Sequence, residues 1–145
     1  MGMKVTLDRM IHTSAAHPGF EKEIGLGGCC SGKDPNPIDL LSMSVASCML
    51  IVMAQGAEAK GLDLTGSWAE TSYELKDYVI ASIAVAFHSP YSPCDANRAF
   101  LENETHRCPV YLAVKDGVDV KVTFDWGAAA APAAKQAEKS CCRCG

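Results

Sequence analysis

The chain has 145 residues, 17 acidic against 13 basic, with a formal net charge of −4. That length is about one domain, able to bury roughly 70% of its unfolded surface without staples, so a single core is expected. The acids are scattered and no lysine or arginine cluster occurs, which excludes the concentrated basic face that nucleic-acid phosphates demand.

Lys4 to Ile11 carries β-branched residues in alternation and predicts a first strand, with Phe20 to Leu26 as its partner after a Pro18-Gly19 turn. Residues 25–35 form a glycine-rich loop that lacks the spacing of a phosphate cradle. Asn36 is placed to cap a helix whose first residue is Pro37, with Asp39 at the third helical position, and Gly61 is a left-handed stop after Lys60. From Leu40 to Ala54 this helix is apolar or small on every face, so it must be surrounded. One short chain has little material to wrap it, which predicts a homodimer. Leu62 to Leu75 and Tyr78 to His88 predict a hairpin turning at Lys76-Asp77. Its second strand has Val79, Ala81, Ile83, Val85 and Phe87 on one face, and small residues on the other that suit close approach by the long helix. A helix from Cys94 to His106, a short helix opened by Cys108-Pro109, and a strand from Val118 to Trp126 complete the fold. Gly127 to Ala137 is an Ala-rich linker, so the domain is expected over 1–126 with 127–145 as a disordered tail.

The start of the chain lacks a secretory pattern, and the 40–54 run is shorter than the ~20 apolar residues of a membrane span, so a cytoplasmic protein with no membrane partner is expected. Eight cysteines in such a setting read as thiols, redox groups or metal ligands before structural disulfides. Cys48, Cys94 and Cys108 fall in foldable segments, Cys29 and Cys30 in the glycine-rich loop, and Cys141, Cys142 and Cys144 in the tail. Taken alone, Cys48 is a small core hydrophobe, a common use of free cysteine. The tail thiols fit incidental groups of a loose chain end or soft-metal ligands. The histidines His12, His17, His88 and His106 lack zinc-enzyme spacing, and no cofactor or metal is expected.

Asn36-Pro37 leading into a long apolar helix that carries Cys48, then Cys108-Pro109, then Gly117-Val118-Asp119-Val120-Lys121-Val122, resembles the OsmC/Ohr family over residues 1–126. The resemblance implies an α+β, OsmC-like fold with an antiparallel sheet around a long buried central helix, built as an intertwined homodimer. It also implies a thiol peroxidase for organic hydroperoxides, acting in oxidative-stress defence. Cys48 would attack the peroxide, Cys108 would resolve the sulfenic acid as a disulfide, and an external dithiol would restore both. The chemistry asks for both groups, since the thiolate is the nucleophile and its sulfenate must meet a second thiol before further oxidation.

Ionising Cys48 is the difficulty, because it lies about three turns into its helix, where the favourable field of the N-terminus has faded. In the best-known peroxidases of the family the ionising cation is an arginine held by a glutamate directly after Asn-Pro. Ile38 stands there instead, which likens this chain to the less characterised OsmC-like branch. Arg9 is the candidate activating cation and Lys22 a weaker one, though either also reads as a solvated surface residue. The alternative to an enzyme is a dimeric binding or redox-sensing module that keeps the fold and cysteines without the activating pair.

Overall fold

The structure, a computed structural model, describes residues 2–28, 33–129 and 131. Nine elements follow in chain order: β1 (Lys4–Arg9), β2 (His12–Ala16), β3 (Ile24–Gly27), α1 (Pro37–Ala59), β4 (Trp68–Lys76), β5 (Val79–Ser89), α2 (Asp95–Thr105), α3 (Pro109–Val114) and β6 (Asp119–Trp126). The chain divides into two compact units between Leu41 and Ser42, and both clusters of buried apolar residues belong to the second.

In the first unit β1, β2 and β3 form a three-stranded antiparallel sheet in that order. The expected first strand stops at Arg9, because the chain reverses at Met10-Ile11 with Met10 at φ 29 and pairs Arg9 with His12, and β2 follows where no strand was expected. The partner of β3 is accordingly β2 rather than β1. Asn36 closes the helix start as expected: its Oδ1 accepts from the N–H groups of Ile38 and Asp39 at 2.7 and 2.9 Å, and its own N–H donates to Asp39 Oδ2 at 3.0 Å. Three backbone donors at the helix start are satisfied by these two side chains.

In the second unit β4 and β5 form an antiparallel hairpin, and β6 pairs parallel to β5. The sheet is thus mixed, not antiparallel, because α2 and α3 supply the crossover that a parallel return requires. The hairpin turns at Asp77 and Tyr78, both at positive φ, so the two-residue loop sits one position later than Lys76-Asp77 and β4 starts only at Trp68. The C-terminus of α1 matches expectation: Gly61 takes φ +69, its N–H donates to Glu58 O and the Leu62 N–H to Ala57 O, a Schellman closure sealed by Leu62 and Ala57 in one apolar cluster.

The main core joins Val45, Ala46 and Met49 of α1 to Ile83, Val85 and Phe87 of β5 and to Cys108. The helix therefore lies on the large-residue face of β5, not on the small face of Ser82, Ala84 and Ala86, since the larger side chains offer more apolar area to bury. A second cluster of Met53, Ala57, Leu64 and Leu101 brings in α2. Gly56 lets α2 approach, because a Cβ there would lie 2.9 Å from Glu104 Cγ. Between α1 and β4, Ser42 and Thr71 share a buried hydroxyl hydrogen bond.

The helix expected to be surrounded is only partly covered. Met43, Ser47, Ile51 and Ala54 form an exposed stripe along it, and 28% of its most apolar stretch is buried within this chain. The whole 23-residue helix is long and apolar enough to cross a membrane, which the 40–54 run alone is not, and a core helix passes the same test. The helix cap supplies a stability prediction. Asn36→Ala, which removes the acceptor for two amides, should cost about 0.5–2 kcal/mol. Thermal unfolding followed by circular dichroism should show a midpoint lower by several degrees.

Candidate functional site

Cys48 and Cys108, distant in sequence, share one core and lie close enough for Cys48 to act on the ionisation of Cys108. Each is placed by its own element. On α1, Val45 and Met49 are fully buried and Ser47 and Ile51 are exposed, so Cys48, lying between those directions at ~100° per residue, is half-buried. Cys108 is the residue before Pro109, held at φ −61 and ψ 123, and starts α3 as its N-cap. Its exposure is 0%.

The surroundings of Cys108 come from the connection between α2 and α3. Thr105 is fully buried and donates its hydroxyl to Glu102 O at 2.7 Å, and its own carbonyl receives the Cys108 N–H at 3.3 Å. The Cys108 sulfur accepts the Tyr111 N–H at 3.3 Å. Tyr111 packs on the thiol cluster and meets the His106 ring edge-on at 5.3 Å. Arg107 is turned away to Glu104, donating to both carboxylate oxygens at 3.1 and 3.0 Å.

Burial pushes the Cys108 thiol above the ordinary cysteine range, and the hydrogen bond to Cys48 pushes it further; the Tyr111 and Val110 amides offset part of this. Cys108 therefore keeps its proton at neutral pH. The resulting pair can close to a disulfide once one sulfur is oxidised, and the more accessible sulfur is Cys48.

Arg9 and Lys22, the sequence candidates for ionising Cys48, belong to the first unit and are exposed. The positive charge of Arg9 there acts on Asp8, whose carboxyl is lowered chiefly by the Ser14 hydroxyl and then by His12. Cys94 is exposed at the start of α2 and makes no side-chain cap. Cys29, Cys30, Cys141, Cys142 and Cys144 lie outside the described residues.

Two side-chain clusters escaped the sequence reading. His12 faces Asp8 Oδ2 through Nδ1 and Asp34 Oδ2 through Nε2, both at 3.0 Å. Seeing the β1–β2 turn would have shown the first contact, since it brings Asp8 and His12 together across two residues. His88 stacks on Trp68 at 4.1 Å and meets Asp125 Oδ2 at 3.2 Å, a row across three strands that their registers dictate. Among the described residues no group of three histidines, cysteines or acids is arranged to hold a metal.

A family model described as OsmC-like protein matches residues 30–123. Among solved structures, a Psychrobacter arcticus 273-4 protein provisionally named an osmotic stress induced and detoxification response protein is 26% identical, covering 84% of this chain and 93% of its own, with a TM-score of 0.77. The organic hydroperoxide resistance protein OhrB of Bacillus subtilis is 20% identical over 86% of this chain and 98% of its own, with a TM-score of 0.64. An OsmC-like protein from Mycoplasma pneumoniae is 19% identical over 86% and 96%, with a TM-score of 0.69. No curated protein matches the chain.

The raised Cys108 pKa sets a pH dependence. A group that holds its proton more tightly when folded stabilises fully below its unfolded pKa, about 8.5 for cysteine, and that contribution is lost as pH rises through the folded value. Denaturant midpoints should therefore fall as pH is raised above about 8.5, and Cys108→Ser should flatten the fall. A midpoint independent of pH in both proteins would contradict the burial of that thiol.

Proposed function

We propose, on the premise that the chain belongs to the OsmC-like protein family, that it is a thiol peroxidase acting on organic hydroperoxides in oxidative-stress defence. The observation that carries this reading is the pairing of a half-buried Cys48 with a fully buried Cys108 in one core cluster. The name of the Bacillus subtilis structural neighbour, an organic hydroperoxide resistance protein, supports the substrate class.

In this mechanism the Cys48 thiolate attacks the peroxide oxygen remote from the organic group, the O–O bond breaks, and the alkoxide leaves as an alcohol after protonation. Cys48 is then a sulfenic acid. Cys108 attacks that sulfur, water departs, and the disulfide closes. An external dithiol returns both cysteines to thiols. Arg9 is the proposed source of the positive charge that ionises Cys48.

The working form is a cytoplasmic homodimer. The stripe of Met43, Ser47, Ile51 and Ala54 supports a second copy of α1, the two small residues allowing close approach and the two large ones, already about half covered, contributing about 1 kcal/mol each when fully covered. With Ile51 55% exposed, Ile51→Lys should leave helix content unchanged and convert the dimer to monomer in light scattering after gel filtration.

Mixing reduced protein with one equivalent of cumene hydroperoxide tests the activity. Wild type should consume it and lose two hydrogens in mass as the disulfide closes. Cys48→Ser should slow consumption more than about 1,000-fold, the scale of losing a nucleophile. Cys108→Ser should still react once and stop at an oxygenated Cys48. Slow consumption that Cys48→Ser leaves unchanged would overturn the enzyme in favour of a binding module.

A further inference from the structure

Cys108 is delivered to the core by the short connection between α2 and α3. The residue before it, Arg107, is held by Glu104 through both backbone and side chain. The Arg107 N–H donates to Glu104 O at 3.0 Å, and the guanidinium donates to Glu104 Oε1 and Oε2 at 3.1 and 3.0 Å. Glu104 is buried, at 8% exposure, although its partner's side chain is 71% exposed. A carboxylate is almost never buried unless paired, and this one is buried against α1. Its Cγ occupies the notch left by Gly56, where a Cβ would lie 2.9 Å away. The same helix carries Cys48, so one side chain touches the helix of the first thiol and fixes the residue next to the second. On its other flank α2 is tied to β6, with Trp126 Nε1 donating to Glu102 Oε1 at 2.9 Å.

We propose that Glu104 is a positioning residue which, through Arg107, holds Cys108 in place beside Cys48 so that the two sulfurs can join. The proposal takes its place in a reaction from the peroxidase reading, and its geometry from the contact of α2 with α1. Displacement passes along the backbone. The N–H groups of His106, Arg107 and Cys108 donate to the carbonyls of Asn103, Glu104 and Thr105 at 3.2, 3.0 and 3.3 Å, three successive bonds of a 3₁₀-type turn. Thr105 is fully buried inside that turn, and its hydroxyl donates to Glu102 O at 2.7 Å. A turn closed at every residue has no slack, so a shift of Glu104 on α1 becomes a shift of Cys108.

Positioning and stability are separable by their effect on redox equilibrium. Two thiols held side by side react at a high effective concentration, and a misplacement of about 1 Å can cost about 100-fold. A contact that merely supports the fold stabilises dithiol and disulfide forms alike and leaves the redox midpoint unmoved. With glutathione disulfide as oxidant, its S–S bond breaks and the Cys48–Cys108 bond forms. Two electrons and two protons pass from the cysteines to two molecules of glutathione.

The test equilibrates the full chain in buffers of reduced and oxidised glutathione and traps thiols in acid. Cys48 and Cys108 are then scored by differential alkylation and tandem mass spectrometry. In wild type the two should oxidise together, to a disulfide linking them. Glu104→Gln, Arg107→Met and Gly56→Ala should each stay folded by circular dichroism and disfavour the disulfide at least about tenfold, a midpoint about 30 mV less negative. Gly56→Ala separates the two roles most sharply, since alanine raises helix propensity while its methyl displaces Glu104. Arg107→Met alters an exposed side chain and keeps the test open should Glu104→Gln fail to fold. Midpoints equal to wild type in the folded variants would overturn the proposal, and so would failure of Cys48 and Cys108 to link in wild type. The expected shifts in a protein that consumes no hydroperoxide would uphold the positioning role and sink the peroxidase reading alone.

Discussion

The seating of α1 on β5 is the constraint from which the rest of the second unit follows. Val45 and Met49 repeat at helical spacing, and Ile83, Val85 and Phe87 repeat at strand spacing, so the two apolar rows can be buried together in one registration. Burying them fixes the rotation of the helix. Cys48 is the residue before Met49, and rotation by one helical step carries it from the buried face to its margin. The same contact that stabilises the fold therefore sets how much of that thiol meets solvent, and the Ser42–Thr71 hydrogen bond holds the helix to β4 in the same orientation.

Cys108 is controlled by different means. Pro109 suits the first position of a helix, and the residue before it is held out of helical geometry, where its side chain reaches the free amides of the first turn. A hydroxyl or carboxamide at that position would act as an ordinary cap. A thiol accepts the same amides weakly while remaining able to form a bond to sulfur. Desolvation and the amides act in opposite senses on its ionisation, and desolvation wins, so the protein keeps a neutral thiol in its core at neutral pH.

Pattern reading located α1, the β4–β5 hairpin, α2, α3 and β6 to within a few residues, except that β4 begins at Trp68, after a loop where strand was expected from Leu62. Capping chemistry was especially legible, since Asn36, Asp39 and Gly61 act through neighbours in sequence. The β1–β2 reversal was not, because Met10-Ile11 carries none of the glycine or asparagine that usually marks a tight turn, and alternation continues through it. The choice between the two faces of β5 was also missed: small residues permit close approach, but the contact was won by the larger apolar area of the opposite face.

The sequence by itself determined which segments are helical or extended, where α1 starts and stops, and that Cys48 and Cys108 each sit at a defined point of a helix. These are local properties, set by spacing, capping and the geometry of proline. Only the tertiary structure decided that the two thiols meet, that one is closed to solvent and the other half open, and that His106 and Arg107 are turned to Tyr111 and Glu104 instead of to the sulfurs. Those outcomes depend on how α1 rotates on β5 and how the α2–α3 connection folds over it. No residue encodes such an arrangement alone, since it arises when burying the whole apolar set outweighs every alternative packing.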